Sequence, residues 1–176
     1  MLEAPEPVNA ATDALFEEVY ERLKAMAGRQ RARGGAAQTL GTTELVHELY
    51  LRMGGGNDQR FSDAAQFFAY AARAMRHVLS DRARNHMRLR AGGEWLRVTL
   101  SDDAQKLALE SAEQTLCLDD ALRKLEQTDR RAARVVELHF FAGLTMEQIA
   151  ESFALTRRTV SRDWEFARAF LHSEMH

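Results

Sequence analysis

Apolar residues recur at helical spacing along most of this chain, and no long stretch alternates as a β-strand would. One amphipathic helix is predicted over residues 12–33. A second is predicted over residues 44–53; Thr42 or Thr43 opens it and a run of glycines halts it. Since proline occurs only at Pro5 and Pro7, nothing interrupts the later helical patterns. The sequence therefore predicts an all-α protein.

A third, long helix is predicted over residues 63–90, with an apolar first half and a basic second half. Between Arg73 and Arg97, seven arginines stand against two acids, which gives a local balance of +5. Charges of one sign at this density repel each other unless an anion compensates them, so this face predicts contact with nucleic acid. Phe61 and Tyr70 are candidates for stacking on unpaired bases, although most aromatic residues at this spacing belong to a core.

The charge reverses in the following stretch. Residues 101–128 carry seven acids against three basic residues, a balance of −4. We interpret residues 98–114 as an acidic linker between two small helical domains, residues 12–97 and 115–176, after a flexible lead-in over residues 1–11. A further hypothesis is that the acidic linker lies against the basic helix and masks it.

Composition argues against several classes of protein. The formal net charge is only −2, so nucleic-acid binding must come from local patches. A single cysteine, Cys117, rules out an internal disulfide and favours a reducing cytoplasm; its apolar setting predicts a small core residue. No apolar run is long enough to span a bilayer. The six histidines are scattered, and no HExxH, CxxC or phosphate-binding glycine loop occurs, so we predict no enzymatic activity, no cofactor and no metal site.

The last part of the chain carries a helix-turn-helix pattern. Thr145 and Thr156 each precede a short amphipathic pattern, and the bend between them leaves Ala154 where glycine is common. An ordinary helical hairpin would look similar, but the second pattern is basic. The second helix of such a motif lies in the major groove. The candidate groups for phosphates and base edges are Arg157, Arg158, Thr159, Ser161 and Arg162.

Three segments together resemble the extracytoplasmic-function (ECF) sigma factors of bacteria. The phrase Glu44-Leu-Val-His-Glu-Leu-Tyr-Leu-Arg-Met53 is similar to their second conserved region. The phrase Phe67-Phe-Ala-Tyr-Ala-Ala-Arg-Ala-Met-Arg-His-Val-Leu-Ser-Asp-Arg-Ala-Arg84 resembles their promoter-melting segment. The terminal hairpin, introduced by Asp129-Arg-Arg-Ala-Ala-Arg-Val-Val-Glu-Leu138, resembles the domain that recognises the minus-thirty-five element. The resemblance runs in the right order over residues 15–171.

This resemblance implies transcription initiation without catalysis by the chain itself. The N-terminal domain would dock on the clamp helices of the β′ subunit of bacterial core RNA polymerase and capture the melted minus-ten element. The C-terminal domain would recognise minus-thirty-five promoter DNA and touch the β flap. The residues that the resemblance implies are Glu44, Leu45, Glu48 and Arg52 for polymerase, Asn57 and Phe61 for a flipped base, Arg73, Arg76, Arg82 and Arg84 for backbone phosphates, and the terminal set named above for duplex DNA.

One departure from the family's usual pattern bears on regulation. Typical members carry a cluster of acids just before the Leu-Val phrase, whereas this chain has Gly41-Thr42-Thr43 and then Glu44. A subgroup with a Thr-x-Leu-Val-His-Glu-x-Tyr-Leu-Arg pattern is the most similar. We hypothesise that a Ser/Thr kinase modifies Thr43, or less favourably Thr42, because a phosphate adds about −1.5 to −2 charges near a helix N-terminus. The alternative is that both threonines only cap the helix.

Two other functions remain open at this point. The chain would be a stand-alone helix-turn-helix regulator if it bound duplex DNA tightly without polymerase. A helical protein-interaction module would leave the arginines of residues 73–97 and the terminal hairpin unexplained. An anti-sigma factor would be a further partner of a sigma factor.

Overall fold

The computed structural model describes residues 42–54, 63–91 and 102–176, together with residues 20, 21, 24 and 25, which are helical. Every regular element in these ranges is a helix, which confirms the all-α prediction. The helices are α1 Thr42–Gly54, α2 Ala64–Ala91, α3 Asp102–Thr128, α4 Arg130–Val136 with a π-helical turn Glu137–Phe141, α5 Met146–Phe153 and α6 Arg157–Met175. The predicted lead-in over residues 1–11 and most of the predicted helix over residues 12–33 lie outside the described residues.

Side-chain caps explain where two of these helices begin. The Asp63 carboxylate accepts a hydrogen bond from the Gln66 amide at 2.8 Å, immediately before α2. The Asp129 carboxylate accepts one from the Ala132 amide at 3.0 Å and so separates α4 from α3. Each cap satisfies a backbone N–H that has no partner inside its helix.

Buried apolar side chains form one continuous cluster through the described helices. Helix α1 packs on α2, α2 packs on α3 and on the π-helical turn, and α3 packs on α4 and α6. The largest fully buried side chains are Leu49, Phe67, Met75, Leu122, Leu125 and Ile149. Burial of a side chain of this kind contributes roughly 1.5–3 kcal/mol to the free energy of folding, so the contacts of α3 with α2, α4 and α6 stabilise the fold.

Helix α3 differs from the sequence-based expectation in its length. Residues 102–114 of the predicted linker and the start of the predicted second domain share this one continuous helix. The division into two domains stays a prediction. Cys117 is exposed, so its assignment to the core was wrong. The reason is helical periodicity, because Cys117 lies two residues before the buried Asp119 and therefore on nearly the opposite side of α3.

The apolar spacing of residues 130–141 predicts one helix with Phe140 facing the core, but this stretch is two structures in series, α4 and the π-helical turn. Its last turn is π-helical, and the Ala142 amide donates to the Glu137 carbonyl at 3.3 Å. Phe141 is buried, while Phe140, which was predicted to face the core, is half-buried. A π-turn holds one residue more than an α-turn and so changes the direction of the side chains that follow.

Candidate nucleic-acid interface

Helices α5 and α6 form the predicted helix-turn-helix pair and pack on each other. A reciprocal capping box opens α5. The Thr145 hydroxyl accepts a hydrogen bond from the Gln148 amide at 3.2 Å, and the Gln148 side-chain oxygen accepts one from the Thr145 amide at 3.0 Å. Two backbone donors at the start of the helix are thereby satisfied.

The turn between α5 and α6 depends on a left-handed residue. Ala154 has φ 53° and ψ 40°, and it is the one non-glycine residue in the described part of the chain with a positive φ. The next amide, that of Leu155, donates to the Ala150 carbonyl at 2.9 Å and closes the turn. This geometry explains why glycine is common at the position, because a side chain raises the energy of the left-handed conformation.

Thr156 caps α6 and orders its first turn. Its hydroxyl accepts from the Thr159 amide at 3.3 Å and lies 3.0 Å from the Thr159 hydroxyl. The side chains of Arg157, Arg158 and Arg162 are exposed. Cations at a helix N-terminus oppose the helix dipole, so these arginines do not stabilise α6 by that route. The free backbone N–H groups and the guanidinium groups instead favour the binding of an anion at this end of α6.

The remaining predicted residues of α6 are less accessible. Thr159 and Ser161 are half-buried. Arg157 places its Nε 2.8 Å from Glu147 Oε1, and both side chains are more than half exposed. A surface pair of this kind is weak, so a phosphate can take the place of the Glu147 carboxylate.

The orientation of α6 is fixed by contacts that the sequence analysis missed. Arg131 on α4 binds the Asp163 carboxylate with two hydrogen bonds, of 2.6 and 2.9 Å, and Asp163 is 8% exposed. His139 in the π-helical turn has Nδ1 2.7 Å from the Leu144 carbonyl oxygen, and its ring packs edge-on against Trp164 at 4.7 Å between centroids. The available signal was an aspartate on the apolar side of a basic helix.

Arg76, one of the predicted phosphate contacts, is buried. Its Nε donates to Asp119 Oδ1 at 2.7 Å, its Nη1 to Glu137 Oε1 at 2.7 Å and its Nη2 to the Asp119 carbonyl at 3.0 Å. These three side chains are called the buried ion cluster below. Arg76 is only 4% exposed, so it cannot reach a phosphate in this arrangement of the helices.

Asp119 also attracts arginines at the edge of the cluster. Arg84 and Arg123 each place an Nη2 3.0 Å from its Oδ2. Burial alone would raise the pKa of Asp119, but the hydrogen bond and charge of Arg76, with the charges of Arg123 and Arg84, outweigh burial and lower that pKa. The carboxylate therefore stays ionised at neutral pH.

The other two arginines of the predicted set on α2 are also paired. Arg73 places its Nη2 3.1 Å from Glu126 Oε1 on α3. Arg82 donates from Nε and Nη2 to Glu48 Oε2 on α1, at 2.9 and 2.7 Å. The arginine surface of α2 is defined as Arg73, Arg76, Arg82 and Arg84. Three of its members meet acids of α3 or of the π-helical turn, and the fourth meets α1.

The predicted polymerase contacts lie around α1. Glu48 pairs with Arg82, and Arg52 pairs with Asp81 at 2.7 Å. Two apolar residues of the same helix, Tyr50 and Leu51, are exposed. Helix α1 begins at Thr42. The side chains of Thr42, Thr43, Glu44 and Leu45, and the whole of Asn57 and Phe61, lie outside the described residues.

Within the described ranges, no group of three or more His, Cys, Asp or Glu side chains is arranged to hold a metal ion. None of the helices in those ranges combines the length and the apolar character needed to cross a membrane.

Comparison with known proteins identifies one family. The family model described as ECF sigma factor matches residues 7–176. No curated protein and no solved structure matches the chain.

Proposed function

Because this chain belongs to the ECF sigma factor family, we propose that it binds core RNA polymerase through α1 and places two separate basic surfaces on promoter DNA. Members of the family bind RNA polymerase and direct promoter-specific transcription initiation, and the family is one of non-enzymatic transcription factors. The observation that carries the proposal for this chain is the exposed set of arginines on the first turns of α6, a helix held in a helix-turn-helix by its own caps.

The C-terminal surface recognises duplex DNA at the minus-thirty-five element. Arg158 and Arg162 are four residues apart and so lie on one face of α6, where arginine can bind guanine edges in the major groove. Arg157 and Thr159 bind backbone phosphates together with the first amides of the helix. Ser161, which is half-buried, contributes a hydroxyl at the side of this face.

The N-terminal surface captures the melted minus-ten element. The arginine surface of α2 binds the phosphates of the single strand, and Asn57 and Phe61, which follow α1 in the sequence, frame a flipped base. Support comes from the density of arginines on α2, because each of them binds a carboxylate in this structure and a guanidinium group binds phosphate in a similar way.

Core polymerase contacts α1 through its acids and its apolar residues. Glu44, Leu45, Glu48 and Arg52 are the proposed contacts with the β′ clamp helices, and the exposed Tyr50 and Leu51 extend that surface. The β flap is the proposed partner of the C-terminal helices. An exposed apolar pair beside charged groups is typical of a protein interface.

Phosphorylation of Thr43, or alternatively of Thr42, supplies the negative charge that is missing before Glu44. Support comes from the start of α1 at Thr42, because a phosphate in the first turn of a helix is favoured by the helix dipole. A Ser/Thr kinase would then regulate polymerase binding. An anti-sigma factor is the alternative source of regulation.

The test of promoter recognition compares three proteins: the wild-type chain, the double variant Arg158→Ala/Arg162→Ala, and Arg168→Ala as a control. Arg168 is exposed on the same helix but about a turn and a half beyond Arg162. We expect all three to bind bacterial core polymerase equally, and the double variant alone to lose promoter-specific transcripts, by about tenfold or more. Tight duplex binding by the chain without polymerase would instead identify a stand-alone regulator.

The test of phosphorylation measures binding to core polymerase of the unmodified chain and of its Thr43→Glu and Thr43→Ala variants. We expect Thr43→Glu to bind more tightly than the other two, because it restores part of the charge of a phosphate. Ser173→Glu adds the same charge on the exposed end of α6 and should have no effect. Equal transcription by a kinase-treated chain and by Thr43→Ala would exclude regulation through Thr43.

A further inference from the structure

We propose that the buried ion cluster is an autoinhibitory contact, which holds α2 against α3 and keeps the arginine surface of α2 from DNA until these helices separate. The inference deepens the proposed function and rests on it for the nature of the ligand, the phosphates of a single strand. The contact itself rests on geometry within the chain.

Acids of α3 and of the π-helical turn occupy guanidinium donors that the proposed function assigns to phosphates. Arg76 is surrounded by the Asp119 and Glu137 carboxylates and by a backbone carbonyl, all within 3.0 Å. Arg84 and Arg73 are each bound to a further carboxylate oxygen on α3. The buried Arg76 uses its Nε, Nη1 and Nη2 in these bonds, so it cannot bind a phosphate while α2 and α3 are in contact, and Arg73 and Arg84 have fewer donors left for one.

A buried ion cluster often contributes no more to the stability of a permanent core than apolar residues do. Removing charges from water costs free energy that the ion pairs repay only in good geometry, and apolar residues of the same volume often give equal or greater stability. The same charges become well hydrated when an interface opens. The cluster therefore suits a contact that has to form and separate.

Arg76 lies on α2 in a strip of small or polar residues. Ala72, Arg76, Ser80 and Ala83 follow one another at helical spacing, and all four are buried. This strip is bordered by Phe68, which belongs to the core cluster, and by Leu79, which packs against that cluster. Arg76 and Ser80 therefore form a polar strip in an otherwise apolar interface, and this strip is hydrated when α2 and α3 separate.

The autoinhibitory contact predicts that weakening the buried ion cluster raises the affinity of the chain for single-stranded DNA. When only a fraction of molecules is in the binding-competent state, the apparent dissociation constant rises by the inverse of that fraction. A change that favours the open arrangement should therefore lower the apparent dissociation constant. The largest possible fold gain in affinity is the inverse of the fraction of wild-type molecules that are open.

The experiment uses the full chain without polymerase and a fluorescein-labelled oligodeoxythymidine, with binding followed by anisotropy. Asp119→Asn removes the central charge of the cluster, and Asp120→Asn removes the same charge from an exposed neighbour. We expect Asp119→Asn to bind about tenfold more tightly than wild type, and Asp120→Asn to bind as wild type does. Hydrogen exchange should rise in the facing parts of α2 and α3 in the Asp119 variant alone.

A second variant keeps the test decisive if Asp119→Asn fails to fold. Glu126→Gln frees Arg73 at the partly exposed edge of the same contact, and we expect a smaller gain in affinity from it. Measurable binding that is equally tight in wild type and in every folded variant, or an equal gain from Asp120→Asn, overturns the autoinhibitory contact. If neither wild type nor any folded variant binds the oligonucleotide, the proposed ligand of α2 is wrong, and the autoinhibition of DNA binding falls with it.

Discussion

Arg131 and Asp163 form a bidentate ion pair, and we predict that replacing Arg131 lowers the free energy of unfolding more than replacing Asp163 does. The Asp163 side chain is 10% exposed and that of Arg131 is 51% exposed. Removing Arg131 leaves a buried carboxylate without its partner, a change that costs about 3–5 kcal/mol in fully buried pairs. Solvent reaches the Arg131 side of this pair, so we expect about 2 kcal/mol for Arg131→Gln. Asp163→Asn leaves an arginine that can turn to water, and we expect about 1 kcal/mol.

Urea unfolding at neutral pH, followed by circular dichroism, measures both costs. The double variant should cost less than the sum of the two single variants, because the buried charge is gone when both residues are replaced. Arg134→Gln replaces an exposed arginine on the same helix and should stay within about 0.5 kcal/mol of wild type. A larger loss for Asp163→Asn than for Arg131→Gln would refute the argument, since it would mean that burial of the carboxylate does not set the cost.

Two further predictions concern stability. Ala154→Gly should raise the free energy of unfolding by up to about 1 kcal/mol in urea unfolding, because glycine adopts the left-handed conformation without penalty; a loss of stability would show that the turn is not strained. The ionised Asp119 carboxylate should contribute to the free energy of unfolding, because it faces Arg76, Arg84, Arg123 and Glu137. This contribution should be complete above the ordinary pKa of 3.8 and should disappear as the pH falls through the lower pKa of Asp119 in the folded protein. The unfolding free energies of wild type and Asp119→Asn should therefore differ by a constant amount between about pH 5 and 7 and converge in strong acid; a difference that persists there would contradict the assignment.

Local features of the fold follow from the sequence, because local chemistry determines them. The capping oxygens of Thr145 and Thr156 and the start of α1 at Thr42 lie where the pattern of polar and apolar residues predicts. The position of Ala154 was also identified, though only as a departure from the usual glycine. Each of these features depends on residues within one turn of one another.

Contacts between distant segments were not predictable residue by residue. Arg76 meets Asp119 and Glu137, which are 43 and 61 positions away. The opposite charges of residues 73–97 and 101–128 indicated that the two segments could meet, but not which arginine would be buried. Arg131 and Asp163 were missed for the same reason, since a charged residue at an apolar position reveals a partner only when the packing is known.

The π-helical turn Glu137–Phe141 contacts both α2 and α6. Glu137 binds Arg76 of α2, and only two residues later His139 packs against Trp164 of α6. Because these two contacts lie within one turn of backbone, we expect a displacement that releases Arg76 to shift the support of α6 as well. If α2 and α6 bind promoter DNA as proposed, occupancy of one surface changes the free energy of occupying the other, and the effect is equal in both directions. Binding at one promoter element would then alter the affinity for the other through a single turn of backbone.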